Sequence, residues 1–292
     1  MTDPIPQPQD QFIDIGLNIH IRHWDGHKTP FVLVHGLSSN CRTWDGVAEQ
    51  LAIAGHSVIT VDQRGHGLSD KPDNGYDFVT VSTDLARLIE KLSLDKPIMI
   101  GQSWGGNVML DFGARFPSLS AGLGFVDGGY IDFQADPENS WEKISVNLRP
   151  PQLTGMAFAD IQQRIQAMHP DWSQSGLDGT LANFEILPDN TVRPWLHIDN
   201  HMQILRAMWE QRPPLLYPKV AAPVLICAAL DTKNQGKMTS KQALVGAAKN
   251  GLQQAQVYWF EDADHDIHVQ QPDALATQFL NALNDGIWAA QV

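Results

Sequence analysis

The chain has 292 residues, of which 43% are hydrophobic, and its 20 Lys and Arg stand against 33 Asp and Glu, for a formal net charge of −13. This composition indicates a globular protein with a sizeable core. The acidic charge argues against nucleic acid or an anionic membrane surface as a partner, because both are bound through basic patches.

The sequence also lacks three features that would change its class. The segment MTDPIPQPQDQF has neither the basic region nor the apolar core of a secretory signal. No run approaches the ~18 consecutive apolar residues of a transmembrane helix. The two cysteines, Cys41 and Cys227, are far apart and have no metal-ligand spacing. We therefore expect a cytoplasmic protein without a metal site, and nothing in the sequence indicates an oligomeric state.

Short apolar runs alternate with helical patterns along most of the chain. Residues 12–24 alternate apolar and polar side chains, as half-buried antiparallel strands do. The later runs are rich in Val, Ile and Leu, which is typical of strands buried on both faces of a parallel sheet: FVLVHG at 31–36, HSVITVD at 56–62, PIMIGQS at 97–103 and PVLICAALD at 223–231, with GLGFVD at 122–127 and AQVYWFE at 255–261 as weaker members. Helices are predicted at 80–94, in NVMLDFGARF and in ALATQFLNAL. This alternation predicts an α/β fold with a mostly parallel sheet.

Residues 128–213 interrupt the alternation. They contain helical patterns such as ADIQQRIQAMH and no clear strand. We predict a mostly helical cap or lid at 128–213, inserted into one core that is formed by 1–127 and 214–292. The aromatic residues of the insertion form either a small core of their own or the lining of an apolar pocket. Trp195 and Trp209 are candidates for contact with a substrate.

The segment GQSWG places a single serine between two glycines, at the junction of a predicted strand and a predicted helix. A strand that turns at once into a helix strains the residue at the turn and crowds the residues two positions away. Gly101 and Gly105 relieve that crowding, and the turn projects the Ser103 hydroxyl beside the helix N-terminus. Ser103 is therefore the predicted nucleophile.

A serine hydroxyl needs a base, and the base needs an acid to orient it. In this architecture both are expected after later strands. Asp231, at the end of PVLICAALD, is the leading candidate for the acid, and Asp127, at the end of GLGFVD, is the alternative. The segment DHDIH supplies His265 as the preferred base, with His268 as a packing or pocket residue.

Such a reaction also needs two donors for the oxyanion of the tetrahedral intermediate. The N–H of Trp104 is expected to be one, because Trp104 begins the helix after the nucleophile. The loop after FVLV allows a close backbone approach at His35-Gly36, so the N–H of Leu37 is the second. These groups predict a site that requires neither a metal nor an organic cofactor.

The motifs resemble those of the α/β-hydrolase superfamily over nearly the whole chain outside 128–213. The matching segments are HGLSSNCRTWDGVAEQL at 35–51, DQRGHGLSD at 62–70, GQSWGG at 101–106, PVLICAALD at 223–231 and DHDIHVQQPDALATQFL at 264–280. The resemblance implies the α/β-hydrolase fold with a helical cap. It also favours His265, which stands seven residues before Pro272, as the catalytic histidine commonly does in that family. The similar haloalkane dehalogenases and epoxide hydrolases have aspartate where this chain has Ser103, which argues against those activities.

The leading functional hypothesis is a serine hydrolase that cleaves a small carboxylic ester or a lactone through an acyl-enzyme intermediate. Two alternatives use the same groups, namely a carbon–carbon bond hydrolase and a cofactor-free perhydrolase. The first would need polar groups in the cap, where the candidates are Arg149, Arg164, Arg193, Arg206 and Arg212. A ligand receptor on a hydrolase scaffold is the non-enzymatic alternative, and measurable turnover would distinguish it.

Overall fold

A computed structural model describes residues 6–230 and 235–288. The strands are β1 Gln9–Asp14, β2 Asn18–Trp24, β3 Lys28–Val34, β4 His56–Val61, β5 Ile98–Gln102, β6 Gly122–Val126, β7 Phe184–Ile186, β8 Val192–Pro194, β9 Val224–Leu230 and β10 Ala255–Glu261. The α-helices of the described residues are α1 Asp45–Ile53, α2 Phe78–Lys91, α3 Trp104–Arg115, α4 Trp141–Asn147, α5 Phe158–Met168, α6 Gln174–Leu181, α7 Ile198–Glu210, α8 Gln235–Gly251, α9 Ile267–Gln270 and α10 Pro272–Asn284.

Eight strands form one sheet in the order β1-β2-β4-β3-β5-β6-β9-β10. The strand β2 pairs antiparallel with β1 and with β4, and every later neighbour is parallel. This is the α/β-hydrolase fold, with a mostly parallel sheet flanked by helices, as the sequence predicts. The parallel strands end at one edge of the sheet, so the residues that follow them share that edge.

Both faces of the parallel sheet are covered because successive side chains of a strand point to opposite sides. In β3, Phe31 and Leu33 belong to the core cluster that α1 and α10 cover. Val32 and Val34 belong to the cluster under α2, α3 and α8. Complete burial of each such side chain contributes about 1.5–3 kcal/mol, which accounts for the continuous apolar runs at these strands.

The segment between β6 and β9 carries α4 to α7 and has a small core of its own. That core includes Ile161, Ile165, Trp172 and Val192. The expectation of no strand in 128–213 is wrong, because β7 and β8 form an antiparallel hairpin. Each strand is only three residues long, too short for an alternating pattern to be recognised. The division into a core and a cap at 128–213 stays a prediction.

Among the described residues, no helix is long and apolar enough to cross a bilayer.

Candidate active site

Ser103 occupies a sharp turn between β5 and α3. Its backbone has φ 52° and ψ −119°, the left-handed side of conformational space that a residue with a side chain rarely adopts. A Cβ on Gly101 would overlap the carbonyl oxygen of Gly105, and one on Gly105 would lie 2.6 Å from the carbonyl oxygen of Val34. The two glycines therefore have the steric reason that the sequence analysis predicts.

His265 links the serine to a carboxylate. Its Nε2 lies 2.8 Å from Oγ of Ser103, and its Nδ1 lies 2.7 Å from Oδ2 of Asp127. The carboxylate beside the histidine is thus Asp127, the alternative in the sequence analysis, rather than its first choice. Asp231 lies outside the described residues. The strand order explains the arrangement, because β6 is the direct neighbour of β5 and Asp127 immediately follows it.

The Asp127 carboxylate is buried and has several donors. Oδ1 accepts hydrogen bonds from the Tyr130 hydroxyl at 2.6 Å and from the Ala229 amide at 3.1 Å. Nζ of Lys241 lies 2.9 Å from each of the two oxygens. Burial alone would raise the pKa of Asp127, but the hydrogen bond and charge of His265, together with Lys241 and Tyr130, hold it at about 2. Asp127 is therefore ionised at neutral pH.

The ionised acid determines the tautomer and the basicity of His265. Nδ1 carries the proton that Asp127 accepts, so Nε2 of the neutral ring is free to accept the Ser103 proton. Loss of solvation lowers the pKa of His265, but the hydrogen bond and charge of Asp127 outweigh that effect and raise it above the ordinary value. The side chain is 52% exposed, so a substrate and water have access to it.

His268 is not part of this chain of hydrogen bonds. Its ring is buried against Trp44, with the ring centroids 4.6 Å apart. Neither ring nitrogen has a hydrogen-bond partner among the described residues. Burial lowers the pKa of His268 to about 3, so the ring is neutral and acts as a packing group.

The turn that follows β3 lies directly against Ser103. A Cβ on Gly36 would overlap Oε1 of Gln102 and would lie 3.2 Å from Cβ of Ser103. Within the described residues, the amide of Leu37 donates no hydrogen bond, and neither does the amide of Trp104, the first residue of α3. Neither predicted donor is thus used by another acceptor among these residues, and their role toward an oxyanion stays a prediction.

The ring of His35 holds this turn in place. Nδ1 donates to the Gly36 carbonyl at 2.7 Å, and Nε2 accepts from the Gln63 amide at 3.1 Å. Complete burial lowers the pKa of His35, which keeps the ring neutral, as a ring with one donor and one acceptor nitrogen must be.

Three residues of the site were not identified from the sequence: Gln102, Tyr130 and Lys241. Nε2 of Gln102 donates to the carbonyl of His265 at 3.0 Å and so ties the histidine loop to the nucleophile strand. The adjacency of Gln102 to Ser103 was the available signal. No feature of the sequence indicates Lys241, because it lies 114 residues after Asp127 on a helix of ordinary composition.

One cavity reaches the site, and a second lies along the loop that follows β3. A cavity of about 1170 Å³ includes Asp127, Lys241 and His265 in its wall. A second, of about 480 Å³, is lined by Ser38 and Ser39, directly after the turn at Leu37, and by Trp195.

Of the two tryptophans that the sequence predicts to contact a substrate, one lines a cavity and the other does not. Trp195 lines the 480 Å³ cavity, where Nζ of Lys71 lies 4.8 Å from the centroid of its ring. Trp209 lines neither cavity. Its carbonyl accepts a hydrogen bond from Gln134 at 2.6 Å. The structure thus places Trp195, but not Trp209, in the wall of the 480 Å³ cavity.

A second group of ionisable side chains is formed by His20, Cys41 and Asp62, whose ligand atoms lie within 4.8 Å of one another. The Asp62 oxygens already accept from Nδ1 of His20 at 2.8 Å and from the amides of Cys41 at 2.7 Å and Leu68 at 2.9 Å. A cation would have to displace these bonds. The arrangement therefore serves to hold three segments of backbone together.

Residues 31–278, most of the chain, match the model of the alpha/beta hydrolase family. The chain belongs to this family.

Sequence relatives of this α/β hydrolase match only part of its length. It is 36% identical to the AB hydrolase superfamily protein YisY of Bacillus subtilis over 170 residues, which are 58% of this chain and 59% of the relative. It is 41% identical to a putative non-heme chloroperoxidase of Synechocystis sp. over 80 residues, 27% of this chain and 29% of the relative. The matched segments thus cover less than two thirds of both relatives.

The structural likeness extends over nearly the whole molecule. The crystal structure of E-2-(acetamidomethylene)succinate hydrolase has a TM-score of 0.77 and 22% identity, over 94% of this chain and 98% of the other. At that identity the likeness concerns the fold.

Proposed function

We propose that this α/β hydrolase is a serine hydrolase that cleaves small carboxylic esters, including lactones, through an acyl-enzyme intermediate. The observation that carries the proposal is the continuous arrangement of Ser103, His265 and Asp127, with contacts of 2.8 and 2.7 Å. A nucleophile, a base within hydrogen-bond reach and an acid that orients the base are the requirements for acyl transfer from a serine.

In the proposed reaction, Oγ of Ser103 attacks the ester carbonyl carbon while Nε2 of His265 takes its proton. The tetrahedral oxyanion accepts hydrogen bonds from the amides of Leu37 and Trp104. His265 then gives the proton to the leaving alkoxide oxygen, and the C–O bond breaks. A water molecule, deprotonated by the same nitrogen, attacks the acyl-enzyme and releases the acid. Asp127 stays ionised throughout and stabilises the imidazolium.

The 480 Å³ cavity supports a substrate with an uncharged acyl or alcohol part. Its wall is mostly apolar and neutral polar, and its apolar members include Pro150, Leu153, Phe184, Trp195 and Leu196.

The first test is the substitution Ser103→Ala. We expect turnover of p-nitrophenyl esters, and of lactones followed by pH-stat, to fall by about 10⁴-fold or more, because the nucleophile is lost. Ser145→Ala, on α4, is the matched control and should keep wild-type rates. Retained turnover in a folded Ser103→Ala protein would refute the assignment. Absence of turnover in the wild type would favour carbon–carbon bond cleavage or a receptor.

A perhydrolase is the second candidate, favoured by the 41% identity to a putative non-heme chloroperoxidase. In that reaction hydrogen peroxide replaces water in the attack on the acyl-enzyme, and a peracid leaves. In an ester assay supplied with hydrogen peroxide, peracid formation faster than hydrolysis would favour the perhydrolase.

The carbon–carbon hydrolase is less well supported. It would need free cationic groups in the insertion, and three of the five candidate arginines are already paired with carboxylates there. These pairs are Arg193 with Glu185, Arg206 with Glu210 and Arg212 with Asp132.

A further inference from the structure

We propose that Lys241 is a positioning residue of this site: its ammonium group binds both oxygens of the Asp127 carboxylate, so that the carboxylate contacts both a lysine and His265. The proposal rests on the proposed function, since it assigns a role toward the histidine that activates Ser103. Three observations support it: the contacts of the Lys241 ammonium group, the position of Lys241 on α8, and the other groups that already orient Asp127.

The ammonium group of Lys241 uses all of its donors inside the site. Nζ lies 2.9 Å from Oδ1 and 2.9 Å from Oδ2 of Asp127, and 3.1 Å from the carbonyl of Ala229. The amide of Ala229 in turn donates to Oδ1. Three N–H groups thus meet three acceptors, and α8 is joined to the ends of β6 and β9 at the catalytic acid.

Orientation of the carboxylate does not by itself require a lysine. The Tyr130 hydroxyl and the Ala229 amide already fix Oδ1, and His265 occupies Oδ2. Pairing a cation with a buried carboxylate has a desolvation cost, so its net value as a structural ion pair is small. What Lys241 adds beyond these neutral donors is a positive charge next to the histidine.

The charges around His265 determine what that addition does. Among the described residues these are Asp127 at the end of β6, Lys241 on α8, and Asp264, Asp266 and His268 in and beside the histidine's own loop. The cavity that His265 lines adds four carboxylates in its wall: Asp132, Asp136, Asp171 and Asp262. Asp127 and Asp266 stabilise the imidazolium form, and Lys241 opposes it. His268 is neutral because its pKa is lowered to about 3.

These charges determine the direction in which Lys241 changes the pKa of His265. With Lys241 present, the raised pKa of His265 is kept from rising further, so Nε2 is available as a base at a lower pH. Without the lysine charge, Asp127 stabilises the imidazolium more strongly. The pKa of His265 then rises, and the base form appears only at higher pH.

The experiment measures the rate at which a fluorophosphonate labels Ser103 as a function of pH. In labelling, Oγ bonds to phosphorus, fluoride leaves and His265 takes the proton, so the acid limb reports the histidine without any knowledge of the natural substrate. In Lys241→Met we expect this limb to move to higher pH by roughly 0.5–1 unit. Lys249→Met removes the same charge from an exposed position on α8 and should leave the limb unchanged.

Two outcomes would overturn the proposal. One is an unmoved acid limb in Lys241→Met with a changed melting temperature, which is the behaviour of a structural ion pair. The other is an equal shift in Lys249→Met, which would reflect the net charge alone. If Lys241→Met does not fold, Lys241→Gln and the ring titration of His265 by NMR answer the same question.

Failure of the proposed function is recognised separately. If wild-type Ser103 is not labelled at any pH, both proposals are refuted. If Ser103 is labelled and the acid limb shifts, but neither esters nor lactones are turned over, the role of Lys241 holds and the substrate class is wrong.

Discussion

Ser103 and Asp127 are both held at positive φ, 52° and 42°, at the ends of adjacent strands. A residue with a side chain in this region costs about 1–3 kcal/mol, so the surrounding structure must maintain it. Backbone hydrogen bonds do so here: the Ser103 amide donates to Val126 at 2.9 Å, and the Asp127 amide donates to Cys227 at 2.8 Å. The two strained residues are thus the ones whose side chains extend from the edge of the sheet to contact His265.

The choice of acid can be tested at this scale. Asp127→Asn removes the negative charge that orients and stabilises the His265 ring, so we expect kcat for an ester to fall by about 10³–10⁴-fold. Asp231→Asn should retain most of the activity. Thermal unfolding of both variants controls for folding, because Asp127 also binds Lys241. The reverse pattern, with activity lost in Asp231→Asn alone, would make Asp231 the acid.

At the scale of elements, side-chain amides join the insertion to the rest of the molecule. The buried Asn40 donates to the Gly179 carbonyl at 2.8 Å and to Oδ1 of Asn183 at 2.6 Å. Asn107, on α3, donates to Oε1 of Gln211 at 2.7 Å. Such directional bonds fix the insertion relative to the loop that follows Leu37, and with it the wall of the 480 Å³ cavity.

The substitution Asn40→Ala tests this connection. It leaves buried acceptors of α6 and its C-terminal turn without a donor, so we expect a loss of about 1–3 kcal/mol in the free energy of unfolding, measured in urea. Asn281→Ala, at an exposed position of α10, is the control and should change it by less than about 0.5 kcal/mol. Equal values for both variants would show that the contact does not stabilise the protein.

At the scale of the whole molecule, the net charge is −13, and acidic side chains are also concentrated near the site. The 1170 Å³ cavity that reaches His265 has five carboxylates in its wall besides Asp127: Asp132, Asp136, Asp171, Asp262 and Asp264. A field of one sign changes the local concentration of a charged substrate and is screened by salt.

This field predicts a preference for neutral over anionic esters. At low salt, kcat/KM for p-nitrophenyl hydrogen succinate should be several-fold lower than for p-nitrophenyl butyrate, because the anion is repelled. The difference should shrink as salt shortens the screening length from about 30 Å to about 3 Å. An anionic ester that is preferred at low salt would contradict the prediction.

The sequence alone was enough for features that depend on neighbours along the chain. The turn at Ser103 could be predicted because the crowding between Gly101 and Gly105 is a steric property of five consecutive residues. The strands of the parallel sheet could be predicted because burial on both faces requires continuous apolar runs. Through the family motifs, the same local logic led to His265 ahead of Pro272.

Only the tertiary structure decided which distant groups meet. Asp127 and Asp231 each follow a predicted parallel strand, so the sequence could not place one rather than the other at His265. In the order β5-β6-β9, Asp127 follows the strand next to the one that carries Ser103. Asp127 can therefore reach His265, whose Nδ1 lies 2.7 Å from Oδ2 of Asp127. The position of Lys241 likewise depends on how α8 packs over β9, because electrostatic contacts form through space between residues that no local pattern connects.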